Sequence, residues 1–304
     1  MTSSFSLDAY LSRIGLPSSF ASHPLDLDLL NLVQLSHLQR IAFENLDVVS
    51  SVPIDMSDTA VVSKLLFSRR GGYCFEMNTL LSIALSELGF PVIKVLARAR
   101  WNRPSTMQTP LTHVVLVVTV PSSGDRYLVD VGFGGLQPLQ ALNLSLPSGV
   151  EQVLESCGTF RVQTSQVPPM TDEQDPHVTV QWSLNGNWMD LLQFRPDVPA
   201  LQCDLEMGNF WSFRHPSGRW CSCLFAAIIV KDERHHILND EYAIRSKDGK
   251  VVRRKMKDEE EVLKVLREVF GIDTDKVDKE KVRAFVDKGA NPAFHGPDYE
   301  KKEN

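Results

Sequence analysis

The chain has 304 residues, of which 43% are hydrophobic and 23% charged, with a net charge of −6. It is long enough for a sizeable core and two or three subdomains, and its composition excludes a disordered or low-complexity chain. The acidic balance gives no general field for a nucleic-acid backbone, though a local basic patch for an anionic small molecule is compatible with it.

Five cysteines (Cys74, Cys157, Cys203, Cys221, Cys223) are too few and odd in number for a disulfide framework and suit a reducing compartment. The opening MTSSFSLDAYLSRIG shows no basic stretch followed by an apolar one, and the apolar run Leu224 to Val230 is far short of the ~20 residues of a membrane span. The expected setting is cytoplasmic, with no membrane and no nucleic-acid partner; oligomeric state has no signature in the pattern.

In chain order, the first ninety residues read as helical. Leu7 to Ile14 is a short amphipathic stretch stopped by Gly15 and Pro17. Leu27 to Ile41 carries Leu29, Leu30, Leu32, Val33, Leu35 and Leu38 at helical spacing. Cys74 to Leu88 ends at Gly89, suited to a left-handed cap, with Pro91 beyond. From Pro91 the pattern turns to strands: Val92 to Ala97, then His113 to Val120 and Tyr127 to Val131 around the turn Pro121 to Asp125. Val153 to Gln163 and Val178 to Leu184 continue the β-rich region, with a loop over 164–177 and a turn at Asn185-Gly186. The last third is mixed. Strands are expected around Trp220 to Val230, a turn at Asp248-Gly249, a helix capped by Asp258 with Glu261 and ending near Phe270, a short helix over Lys279 to Lys288, and a mobile tail beyond Gly296.

Arg70-Gly71-Gly72-Tyr73-Cys74-Phe75-Glu76-Met77-Asn78 carries the clearest chemical signal. A cysteine is a nucleophile as thiolate, and the first turn of a helix favours negative charge through its unpaired amides and dipole. Those amides also suit an oxyanion. The paired glycines read as a flexible, uncrowded approach for a substrate carbonyl. His113 opens the apolar run Thr112 to Val118, and Asp130 sits near the end of the next strand; a charge in such a run needs a partner. If the pairing constant of the hairpin is odd, His113 and Asp130 share a sheet face; if even, they do not. Cys221 and Cys223 fall on one face of an expected strand and read as packing, not as a metal site. His235-His236 reads as a solvated turn.

These segments together resemble the arylamine N-acetyltransferases. The likeness rests on RGGYCFEMN (70–78), FENLD (43–47), THVVLVV (112–118), YLVDVGFGG (127–135) and DAYLSRIGL (8–16), in that order and spacing. It implies an α+β fold with a papain-like site: a helical bundle over 1–90 carrying the nucleophile, a central antiparallel β-barrel domain over 91–200 carrying the histidine and aspartate, and an α/β lid over 201–304. It implies a catalytic Cys74, His113 and Asp130, with Glu44 and Arg70 as support behind the cysteine loop. Thr112 and Phe133 are then expected at the arylamine, and Gly132, Gly134, Gly135, Trp211 and Ser217 at the cosubstrate. The implied reaction is ping-pong transfer of an acetyl group from acetyl-CoA, a cosubstrate and not a resident cofactor, to an arylamine, hydrazine or hydroxylamine. A role in detoxifying foreign aromatic amines follows from the same resemblance. Propionyl- or malonyl-selective transfer, amide synthesis, thiol-dependent hydrolysis and a non-catalytic ligand-binding relative are the alternatives.

Overall fold

The computed structural model describes residues 5–101, 103–104, 107–135, 137–154, 157–165, 177–184, 186–247 and 250–291. The loop expected over 164–177, the turns at Asn185-Gly186 and Asp248-Gly249, and the tail lie wholly or partly outside them. Local chemistry sets the principal helix ends. In α1 (Leu7–Ile14) the Ser6 hydroxyl accepts from Ala9 N, and Gly15 closes the helix in the left-handed region at φ 80°. In α2 (Leu27–Arg40) the Asp26 carboxylate accepts from Leu29 N at 2.9 Å. After β1 (Phe43–Glu44) come the short helices α3 (Leu46–Val49) and α4 (Asp58–Val62), then α5 (Cys74–Leu88), closed by Gly89 at φ 105°.

Eight antiparallel strands form one curved sheet. They are β2 (Val92–Ala99), β3 (Leu111–Thr119), β4 (Arg126–Val129), β5 (Leu142–Asn143), β6 (Glu151–Leu154), β7 (Gly158–Ser165), β8 (His177–Leu184) and β9 (Asn187–Phe194), in the order β5-β4-β3-β2-β9-β8-β7-β6. The sheet nearly closes into a barrel. At the seam between β5 and β6 a side chain replaces strand pairing: Gln152 Oε1 accepts from Asn143 N at 2.8 Å and Gln152 Nε2 donates to Asn143 O at 2.9 Å. Strand β3 is buried on both faces, which explains its unbroken apolar run. Val115 and Val117 pack inside the barrel with Phe160, Val180 and Phe194, whereas Leu116 and Val118 pack with Leu81 and Leu85 of α5.

The last third begins with α6 (Gln202–Arg214) and continues through β10 (Phe225–Val230), β11 (Glu233–Leu238), β12 (Glu241–Arg245) and β13 (Val251–Lys255) to α7 (Glu259–Glu268) and α8 (Lys279–Lys288). Leu263, Leu266 and Val282 cover this second sheet against Ile228 and Ile237. The expected cap on α7 is present, with Asp258 accepting from Glu261 N, but the Glu261 side chain turns to Lys257 N and not to Asp258.

Three expectations need correction. The first ninety residues are not all helical: β1 pairs with β10 and joins the second sheet, in the order β1-β10-β11-β12-β13. Arg219–Cys221 is a 3₁₀ turn, and the strand begins only at Phe225, so Cys221 and Cys223 do not share a strand face. His235 and His236 lie within β11, His235 buried with its Nδ1 2.5 Å from Tyr242 Oη. Among the described residues, no helix is long and apolar enough to cross a membrane.

Candidate active site

Cys74 is the first residue of α5, and its sulfur lies 3.8 Å from the Thr112 carbonyl oxygen of β3. The loop before it is held by backbone packing. Glu44 N donates to Gly72 O at 2.9 Å, and a parallel bridge joins Phe43 to Gly72. A Cβ on Gly71 would stand 2.0 Å from Ala42 O, and one on Gly72 would meet the Glu76 side chain at 2.8 Å. The glycines therefore serve a close approach of chain to chain. The open, flexible approach for a substrate expected from Gly71-Gly72 is absent, because both residues are buried.

Behind this loop is a mostly buried ionic cluster. Arg70 Nη2 is 2.7 Å from Glu44 Oε1 and 2.8 Å from Asp47 Oδ1; Lys64 Nζ is 2.6 Å from both Asp47 and Glu76. Glu76 also accepts from Tyr73 N, fixing the residue before the cysteine. Burial raises the Glu76 pKa, and Lys64 opposes that rise. Burial disfavours the Lys64 cation, but Glu76, Glu44 and Asp47 overrule it and hold the ammonium charged.

The β3–β4 register answers the question of faces. Leu116 faces Val129 and Val117 faces Leu128, an odd pairing constant. His113 and Asp130 therefore share a face, and His113 Nε2 lies 2.7 Å from Asp130 Oδ2. Cys74 acts on the same ring, its sulfur favouring the charged form, and with Nε2 occupied the nitrogen left for sulfur is Nδ1. Burial disfavours the imidazolium, yet the Asp130 charge and hydrogen bond, with Cys74 adding to them, outweigh it and lift the pKa to about 10.

Asp130 is itself held by Asn78, to which sequence reasoning gave no role, and by the Gly132 amide. Asn78 Nδ2 donates to Asp130 Oδ1 at 2.9 Å and to Val114 O at 2.8 Å, while Asn78 Oδ1 accepts from Val131 N. Gly132 N donates to the same Asp130 oxygen at 2.8 Å. Asn78 follows Cys74 by four residues on one helix, so the spacing alone places both on one face. A Cβ on Gly132 would fall 2.5 Å from the Cys74 Cα.

Cys74 and His113 open onto a cavity of about 260 Å³. Thr112, Gly132, Phe133, Gly134, Gly135, Trp211 and Ser217, all expected at the substrates, line it; Asp130 stands behind His113 and does not. The Phe133 ring meets His113 edge-on at 5.7 Å. Gly134 adopts φ 71° against the Phe43 ring, and Gly135 faces open space. Trp211 stacks on His215 at 3.4 Å, and His215 Nδ1 accepts from Ser217 N. Lining residues not anticipated include Trp101 and Arg234, the latter donating to Gly135 O and Gln137 O. No sequence pattern marked Arg234, which arrives from β11 a hundred residues later.

A model of the N-acetyltransferase family matches residues 26–279. The arylamine N-acetyltransferase of Mycobacterium tuberculosis H37Rv is 35% identical over 268 residues, 88% of this chain and 89% of that protein. That of Escherichia coli K12 is 31% identical over 271 residues, with the same coverages. The Mycobacterium marinum arylamine N-acetyltransferase structure superimposes with a TM-score of 0.82 at 32% identity, covering 94% of this chain and all of that one; a complex of the same enzyme with CoA gives the same values. The chain belongs to the arylamine N-acetyltransferase family.

Proposed function

We propose that this protein transfers an acetyl group from acetyl-CoA to an arylamine-type nitrogen through an acetylated Cys74. One observation carries the reading: the thiol at the start of α5 shares a cavity wall with a histidine whose Nε2 is 2.7 Å from a buried carboxylate behind it. His113 held as imidazolium stabilises a Cys74 thiolate. The thiolate attacks the thioester carbonyl, free amides of the first turn of α5 receive the oxyanion, and the CoA thiolate leaves with the proton from His113. The amine then attacks the acyl-cysteine, His113 takes its proton, and the Cys74 thiolate departs as the amide forms.

The cavity is slightly below the ~300–1,000 Å³ typical of ligand pockets. It suits the acyl end of the donor and then the aromatic ring, with the nucleotide outside. Thr112 and Phe133 fit the ring; the Gly132 to Gly135 turn, Trp211 and Ser217 fit the pantetheine arm. The reading divides the chain into units 1–90, 91–200 and 201–304 and places it, with its five free thiols, in the cytoplasm. The test is intact mass after mixing with acetyl-CoA and no amine. A gain of one acetyl group, absent in Cys74→Ala and discharged by an arylamine, is expected. An unmodified protein that still turns over would defeat the mechanism.

A further inference from the structure

A second cavity of about 430 Å³ lies across a thin wall from the first. Pro110, Thr112 and Trp211 line both, so they are that wall. A β-bulge creates it: Ala97 faces His113 and Arg98 faces Leu111, leaving Thr112 without a partner on β2. The carbonyl of that surplus residue is the one 3.8 Å from the Cys74 sulfur. Gly208 brings α6 close enough to complete the enclosure, since a Cβ there would be 2.7 Å from the Phe75 ring.

The lining has two characters. Leu96, Phe194, Val198 and Met207 make an apolar side, with Met207 at the rim 70% exposed. Among the described lining residues the charged groups are Arg98, Arg195 and Asp204. One Arg98 arm donates to Thr109 O, which anchors the guanidinium. Burial and then the neighbouring charges of Arg100 and Arg195 lower the Arg98 pKa, the mark of a crowded positive field. We propose that this second cavity binds an amphipathic carboxylate, its apolar body against Val198 and Met207 and its carboxylate on Arg98, behind the bulge that borders Cys74.

Titration of the full-length protein with 4-phenylbutyrate, beside the matched neutral 4-phenylbutan-1-ol, followed by calorimetry, tests this. The acid should bind at least tenfold more tightly than the alcohol. Arg98→Gln should abolish that preference, and Met207→Glu, at an exposed position tolerant of change, should weaken the acid tenfold or more. Binding should survive carboxamidomethylation of Cys74, which occupies the thiol end of the first cavity and leaves the second untouched. Absence of saturable binding at millimolar acid, equal affinity for acid and alcohol, indifference to Met207→Glu, or loss of binding on alkylation of Cys74 would each overturn the assignment.

Discussion

Replacing Asp130 with Asn keeps the shape of the site and removes the charge that holds His113 protonated. The rise of the His113 pKa from 6.5 to about 10 corresponds to ~5 kcal/mol in favour of the imidazolium, at ~1.4 kcal/mol per pH unit. Without the carboxylate, burial dominates and the ring should titrate below 6.5. The sign for stability follows. A histidine raised on folding stabilises the native state fully below pH 6.5, and that contribution drains away as pH climbs through about 10. The variant should lose this dependence. The assay is NMR of the imidazole Cε1–H signals, with His113 assigned among the eight histidines by His113→Gln. Alkylation of Cys74 by iodoacetamide at pH 7 is the second readout. If half of the ~5 kcal/mol reaches the thiolate, its rate falls by about 60-fold in Asp130→Asn. A His113 that still titrates above pH 8 in the variant, with an alkylation rate within threefold of wild type, would refute the electrostatic account.

Asn78→Ala strips partners from Val131 N, Val114 O and Asp130 together. Asp130 keeps Gly132 N and His113; at ~1–3 kcal/mol for each of the other two groups, denaturant titration should show a loss of ~2–6 kcal/mol, and turnover should fall with it. Lys64→Met leaves Asp47 and Glu76 facing each other without their shared cation; ~3–5 kcal/mol of stability should go, measured by the same titration. Gln152→Leu opens the barrel seam by removing both bonds to Asn143. A loss of ~1–3 kcal/mol and faster amide exchange at Asn143 are expected, with the acetylation rate of Cys74 unchanged.

Much of the site was legible because its signals are local. The bounds of α5 follow from Gly89 and the apolar spacing, and the candidate residues near Cys74 and Asp130 lie in short segments around them. The contact of His113 with Asp130 was not, since turn residues 121–125 allow either parity and only the packed sheet selects the odd one. The bulge at Thr112 left no trace in composition. Helix α6 was also missed. Gly208 in its middle reads as a breaker, and Met207 and Phe210 point outward, so no single apolar face appears. The physical reason for the glycine is contact with Phe75, a residue more than a hundred positions earlier. The two-residue strand β1 is too short for periodicity to register at all.

That short strand has a consequence for how the site comes into being. Asn45, which follows it, donates to Trp220 O at 2.9 Å and Cys223 O at 2.7 Å and accepts from Phe225 N, joining groups 175 to 180 positions apart. Such distant contacts are entropically late in folding. During synthesis, a nascent chain that has emerged only as far as β9 holds the cysteine, histidine and aspartate, yet lacks the strand that Phe43 and Glu44 pair with. The cysteine loop leans on that same pair through Gly72, so its final geometry awaits β10. Closure of the loop before Cys74 is thereby tied to the last third of the chain.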